Sequence, residues 1–275
     1  MNVFGYKKAD GMKSFWPIFA LSILGAVVSS QKAHGVEQST LPPLNTVIQG
    51  VLRQSQLEDT NDILFDQRYF YTREKVTDYF SSDGELKYQE ERESTNNPDP
   101  NCARALSPPA RITPGADPAR NADPVETRSK VRGKPFQRKD FVLNPDLLRH
   151  FTLTLIGRQQ LNGRSALVVD FRPVNGPLPA HSIKERFINA AAGRLWVDEG
   201  DYTLARVDLH LTKKIDILGG LAGAVCKFLY SFERERTADG LWFTRDVSWH
   251  FEGREVLIQK MVDYHERIGD LRELR

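Results

Sequence analysis

The most constraining feature of this sequence is a series of runs in its second half, in which apolar and polar residues alternate between turn signals. Asn162-Gly163 separates the first two runs, and Asp239-Gly240 separates a later pair. Asn-Gly or Asp-Gly between alternating runs is a strong β-hairpin signal. We therefore expect sequential antiparallel hairpins. The runs span residues 151–160, 164–173, 193–198, 202–214, 224–236, 241–254 and 255–268.

The first half of the chain adds one helix and one more hairpin. Residues 44–65 carry an apolar stripe at spacings of three and four, which predicts an amphipathic helix. Residues 68–94 predict a hairpin that turns at 81–84. About seven or eight strands in sequential hairpins form a strongly curved meander. The predicted fold is α+β and mostly antiparallel β, a curved incomplete β-barrel over the N-terminal amphipathic helix.

The N-terminus has the order of a secretory signal peptide, with Lys7, Lys8 and Lys13 before an apolar stretch at 15–28. The stretch is shorter than the about 20 residues of a transmembrane helix. Small residues follow it, so we predict a signal peptide over residues 1–35. This places the protein in the periplasm or outside the cell, and a retained N-terminal membrane anchor is the alternative.

Residues 36–275 are expected to form one domain, interrupted by an insertion at 95–140 that holds eight of the fifteen Pro residues. The insertion has few large apolar residues and cannot bury enough area to offset its ordering entropy. A disordered loop is therefore favoured over a lid or a regulatory segment. Cys102 and Cys226 could pair in an oxidising envelope or remain free thiols.

The motifs of common enzymes are absent from the sequence. It has no phosphate-binding Gly-Lys loop, no dinucleotide glycine fingerprint and no Gly-x-Ser-x-Gly elbow. The six His are scattered singly, and His210 and His250 are interpreted as ordinary strand-face residues rather than as a zinc pair. We expect no catalytic centre, no cofactor and no metal. Without residues 1–35 the chain carries 34 basic and 35 acidic residues, which argues against nucleic-acid binding.

Aromatic residues at alternate strand positions are the candidate ligand-binding residues. They either fill a core or line a concave sheet that accepts an acyl chain, since burying apolar surface contributes ~25 cal/mol per Å². These cavity candidates are Trp196, Phe228, Tyr230, Phe232, Phe243 and Trp249.

The apolar segment 215–225 reads IDILGGLAGAV and is unusual for a connection between strands. We favour a segment that folds into the core or continues a strand pair. The alternative is a mobile flap over the cavity, or a contact with a membrane or partner. The flap candidates are Ile215, Ile217, Leu218 and Leu221.

Three segments carry a resemblance to a known family: GRSALVVDFRP, GRLWVDEGDYTLARVDL and LWFTRDVSWHFEGR. They resemble the periplasmic lipoprotein-carrier superfamily (LolA/LolB-like), the outer-membrane lipoprotein-sorting proteins. Residues 193–208 are the most telling, and the resemblance covers 44–94 loosely and 141–268 better. It implies an incomplete antiparallel barrel, wrapped over helices, with an apolar cavity for acyl chains. The helices that fill this cavity in the family are not recognisable after residue 94.

The predicted function is that of a non-enzymatic periplasmic binding or carrier protein for a lipid, an acyl chain or a lipidated protein. The alternative is an envelope module for protein interaction or stress sensing, with a filled core and no ligand. A hydrolase is disfavoured because the sequence shows no recognisable arrangement of a nucleophile and a general base. The sequence leaves the ligand, the partner and the oligomeric state open.

Overall fold

The structure is a computed structural model that describes residues 40–98, 111–114, 143–176, 178–180, 182–217, 220 and 222–274. The predicted signal peptide, most of the insertion and Cys102 lie outside these residues. Two of the four flap candidates, Leu218 and Leu221, lie outside them as well.

Four helices and eleven strands make up the described part of the chain. The helices are α1 (Leu44–Ser55), α2 (Glu58–Arg68), α3 (Pro145–Leu148) and α4 (Ile183–Ile188). The strands are β1 (Tyr69–Phe80), β2 (Leu86–Asn96), β3 (Arg111–Pro114), β4 (Phe151–Leu161), β5 (Arg164–Pro173), β6 (Ala191–Asp198), β7 (Leu204–Leu211), β8 (Ile215–Ile217), β9 (Gly223–Arg236), β10 (Trp242–Glu255) and β11 (Ile258–Glu273).

All eleven strands belong to one antiparallel sheet. Ten of them follow the order β3-β2-β1-β11-β10-β9-β7-β6-β5-β4, and β8 pairs with β9 off this path. β3 and β4 are not paired with each other, so the sheet stays open. This arrangement confirms the predicted fold class, a mostly antiparallel incomplete barrel.

The turn signals account for the predicted hairpins. Asn162 and Gly163 join β4 to β5 with φ of 50° and 76°, the left-handed values that Asn-Gly adopts in tight hairpins. Gly240 has a φ of 96° in the turn between β9 and β10. Residues 258–273 form a strand, as their alternation favoured over a helix.

The helices differ in part from the prediction. The single helix expected over 44–65 is two helices, because the chain leaves the first at Ser55 and re-enters at Glu58. α4 was not predicted, although Ser182 and Glu185 form a capping box at its start. Ser-x-x-Glu before an apolar residue is the sequence signature that could have revealed α4.

The main core lies between α1 and one face of the sheet, which we call the inner face. Val47 and Val51 of α1 are buried on it. Leu195, Val207 and Phe232 lie in register on neighbouring strands of this face. A second cluster forms around Phe65 of α2. α1 therefore packs against the sheet, as the predicted fold expects of the N-terminal helix.

Candidate functional site

Three of the predicted cavity residues lie side by side on β9. Phe228, Tyr230 and Phe232 occupy alternate positions of the inner face and are all buried in the main cluster. The ring centroids are 6.5 Å apart for Phe228 and Tyr230, and 6.1 Å apart for Tyr230 and Phe232. These three side chains therefore share one face of β9.

A fourth predicted residue, Trp249, pairs with Tyr230 on the next strand. It is only partly buried, and its ring stacks on Tyr264 of β11 with centroids 5.2 Å apart and planes 11° apart. Tyr264 was not among the candidates. It faces inward because β10 and β11 pair Trp249 with Tyr264, and this register could not be read from either strand alone.

The apolar surface continues across the sheet in the neighbouring row. Phe251 of β10 pairs with Val262 of β11, and Val262 pairs with Tyr79 of β1. Tyr79 in turn pairs with Tyr88 of β2. The rings of Tyr79 and Tyr88 stack with centroids 4.3 Å apart. Phe251, Tyr79 and Tyr88 are half-buried. We name the following set the inner aromatic surface: Tyr79, Tyr88, Phe228, Tyr230, Phe232, Trp249, Phe251 and Tyr264.

A charged group borders this surface on β1 and β11. The carboxylate of Glu266 lies 3.3 Å from Arg73 Nε and 3.3 Å from Lys75 Nζ. The hydroxyl of Tyr264 donates a hydrogen bond to the same carboxylate. Burial first, and then the bond to Glu266, raise the pKa of Tyr264 above its ordinary value, so this tyrosine stays protonated. The surface thus has an apolar floor and one polar border.

Trp196 is not part of the inner aromatic surface. Leu195 and Val197 take the inner positions of β6, so Trp196 lies on the outer face in a small cluster with Ala166 and Val168. The guanidinium of Arg206 lies over its ring, 4.9 Å from the centroid. Alternation along a strand separates two faces but does not say which face is covered, which is why Trp196 was grouped with the others.

Phe243 also lies apart from the other candidates. It stacks on Phe65 of α2, with centroids 5.0 Å apart, in the second cluster. A bulge in β10 between Thr244 and Asp246 shifts the register of the strand pairing. The alternation of inner and outer side chains from Val247 onward therefore does not extend back to Phe243. The sequence carried no signal for this bulge.

The described part of the flap segment lies in a strand pair. Ile215 pairs with Val225 and is buried in the main cluster, and Ile217 pairs with Gly223. This placement corresponds to the favoured interpretation of the segment as a continued strand pair.

Two grooves lie on the outer face. One, of about 1020 Å³, runs beside Trp196, Arg194 and His210. The other, of about 520 Å³, runs between rows of outer side chains that include Leu229 and His250. In the second groove, Leu229 and His250 alternate with residues of the inner aromatic surface along β9 and β10.

The described residues include no group of three or more His, Cys, Asp or Glu that could hold a metal ion. His210 and His250 are separated by Leu229 of β9, and His250 is bonded to the carboxylates of Asp263 and Glu252. Cys226 is a free, exposed thiol. No helix among the described residues is long and apolar enough to cross a membrane.

No family model matches the chain, and no curated protein matches it. Among solved structures, it is similar to a domain from Vibrio parahaemolyticus described as an outer membrane lipoprotein-sorting protein, with a TM-score of 0.32, 12% identity and coverage of 82% of this chain and 93% of that chain. It is similar to a DUF1329 family protein from Desulfovibrio piger, with a TM-score of 0.29, 14% identity and coverage of 85% and 94%. It is also similar to a LolA superfamily protein from Nitrosomonas europaea, with a TM-score of 0.27, 12% identity and coverage of 81% and 93%. These similarities concern the fold alone.

Proposed function

We propose that this protein is a non-enzymatic binding or carrier protein of the cell envelope that holds the acyl chain of a lipid or a lipidated protein on its inner aromatic surface. The observation that carries the proposal is the partial exposure of Trp249, Phe251 and Tyr264, which continue the buried row of aromatics on β9. The predicted signal peptide at 1–35 supports the envelope location.

Physical chemistry favours an acyl chain as the occupant of such a surface. Each buried methylene contributes ~0.8 kcal/mol without requiring a polar partner. Several methylenes can therefore offset the cost of association. Flat aromatic rings in neighbouring strands offer a continuous apolar floor, which suits a long, unbranched chain.

The charged border supplies a place for the polar end of the ligand. Arg73 and Lys75 both face Glu266, so this border carries two cationic groups and one carboxylate. An acyl chain on the apolar floor would therefore place its headgroup or its linkage to a protein beside side chains that can hydrogen-bond.

Trp249→Asp tests this proposal. A carboxylate at the centre of the inner aromatic surface would lose its hydration when an acyl chain binds, so we expect the dissociation constant for a fluorescent fatty acid to rise at least about tenfold. The matched control is Leu229→Asp, which places the same charge on the outer face of the adjacent strand, where Leu229 is 42% exposed.

Thermal unfolding of both variants accompanies the titration, since Trp249 packs against the main core. The expected pattern is a folded Trp249→Asp protein with weakened binding and a Leu229→Asp protein that binds like the wild type. Equal dissociation constants for the wild type and Trp249→Asp would contradict the proposal.

The alternative function, a protein-interaction module with a filled core, is favoured by one observation. Val47 and Val51 of α1 fill the space over the main cluster, where Val47 is 1% exposed. Mass spectrometry of lipids extracted from the purified protein separates the two functions. A protein that carries no lipid and ignores the fatty-acid probe would support the interaction module and end the carrier proposal.

A further inference from the structure

The hairpin between β10 and β11 ends in three exposed apolar side chains. Val256, Leu257 and Ile258 are 56%, 85% and 67% exposed. Leu257 is at the apex, and the side chains of a hairpin tip are usually polar because the chain there is surrounded by water. We call these three residues the apolar tip.

The backbone conformation of Val256 in the apolar tip is one that other residue types adopt more readily. Val256 has a φ of 54°, a left-handed value that is unusual for a β-branched residue. The two-residue turn between β4 and β5 uses Asn162 and Gly163, which adopt such values readily. A strained Val where Gly or Asn would fit indicates a role for the side chains of the turn.

The apolar tip is held in place by neighbouring backbone. The N–H of Val256 donates to the carbonyl oxygen of Ala222, 3.3 Å away. Nη2 of Arg254 donates to the carbonyl oxygen of Gly220, 3.1 Å away. These bonds join the hairpin to the segment between β8 and β9, so the apolar side chains project from a fixed base.

The end of the sheet that carries the apolar tip has an excess of positive charge. β8, the start of β9 and the end of β10 pair side by side there, and Nη1 of Arg186 in α4 donates to the carbonyl oxygen of Asp216. The basic residues of these elements are Lys184, Arg186, Lys213, Lys214, Lys227, Arg254 and Lys260, and the acidic ones are Glu185, Asp216, Glu252 and Glu255. Lys214, Lys227 and Lys260 form ion pairs with Asp216, Glu252 and Glu255, so the excess charge comes from Lys184, Arg186, Lys213 and Arg254.

We propose that the apolar tip inserts into the headgroup region of a membrane that contains anionic phospholipid, with the surrounding basic residues facing the lipid phosphates. Apolar side chains at an apex, with cations around them, are the combination that binds a protein to such an interface. This inference concerns the tip alone and stands independently of the acyl-binding proposal.

Sedimentation with vesicles of phosphatidylglycerol and phosphatidylethanolamine tests the proposal on the full chain, purified as the host processes it. Leu257→Gln is expected to lower the partition coefficient about tenfold, because one large apolar side chain no longer leaves water. Ile63→Gln is the matched control, since Ile63 is 57% exposed on α2 and should not affect binding. Phosphatidylcholine vesicles or added salt should weaken the binding of the wild type.

Three results would overturn the proposal. The wild type could remain in the supernatant with anionic vesicles, or Leu257→Gln could sediment as strongly as the wild type. The third is a dimer of the wild type that Leu257→Gln dissociates in velocity sedimentation, without any vesicle binding, which would assign the apolar tip to a second copy of the chain.

Discussion

Replacing Asp198 with Ala is expected to lower the free energy of unfolding by about 3 kcal/mol, because a buried carboxylate that accepts several hydrogen bonds is lost. The Asp198 side chain is 2% exposed. Its carboxylate accepts bonds from Arg164 Nε and Nη2 at 2.6 and 2.8 Å, and from the N–H groups of Gly200 and Asp201 at 2.9 and 3.1 Å. The substitution leaves all four donors without this acceptor and loosens the turn between β6 and β7.

Urea denaturation measures this effect, with Asp170→Ala as the control. Asp170 also pairs with an arginine, Arg194, at 2.7 Å, but its carboxylate is 25% exposed. We expect Asp170→Ala to cost at most about 1 kcal/mol, as is usual for a surface pair. Similar losses in the two variants would show that burial of Asp198 is not the source of its contribution.

The contribution of Asp198 should also depend on pH. Burial by itself raises the pKa of its carboxyl, but the hydrogen bonds and charge of Arg164 and the two backbone N–H groups outweigh it and lower the pKa. A carboxyl whose pKa is lowered in the folded state stabilises the protein fully at a pH above its pKa in the unfolded chain, about 3.9. This stabilisation is lost as the pH falls through the lower pKa of the folded state. The difference between the wild type and Asp198→Ala should therefore shrink on acidification.

Replacing Gly193 with Ala is expected to destabilise the protein by about 3 kcal/mol or more, at the upper end of what overpacking costs. A Cβ atom at this position would lie 1.9 Å from the carbonyl oxygen of Asp208 on the paired strand. Because the obstacle is backbone, the strands β6 and β7 must move apart rather than a side chain rotate. Gly193 opens the segment on which the family resemblance most depends, and this close approach gives a physical reason for a glycine there.

Gly269→Ala is the matched control, since Gly269 lies in β11 and an added Cβ would meet only Thr72 Oγ1, at 3.3 Å. A hydroxyl can rotate away, so we expect this change to alter the stability by no more than about 1 kcal/mol. Chemical denaturation and circular dichroism of both variants provide the comparison. A Gly193→Ala protein as stable as Gly269→Ala would contradict the close approach of β6 and β7.

The hairpins could be predicted because their determinants are local. Asn162-Gly163 and Asp239-Gly240 specify where the chain turns, and alternation along β9 specifies which side chains share a face. The capping box at Ser182 and Glu185 is equally local and was available to sequence reasoning.

The candidate site could be predicted only in part, because it depends on register between strands. Trp249 meets Tyr264, and Phe251 reaches the row of Tyr79, through pairings that no single strand encodes. The bulge after Thr244 moved Phe243 to another cluster, and the covered side of β6 left Trp196 on the outer face. Alternation thus identified Phe228, Tyr230, Phe232 and Trp249, but it missed the four residues of the inner aromatic surface that depend on the pairing between strands.

Quenching of tryptophan fluorescence by a brominated fatty acid tests the central claim most directly. The chain has four Trp residues, and a variant with Trp16, Trp196 and Trp242 changed to Phe retains Trp249 on the inner face. A second variant, with Trp16, Trp242 and Trp249 changed to Phe, retains Trp196 on the outer face instead. If the acyl chain binds the inner aromatic surface, Trp249 is quenched saturably and Trp196 is not. Equal quenching of the two, or none of either, would contradict the account.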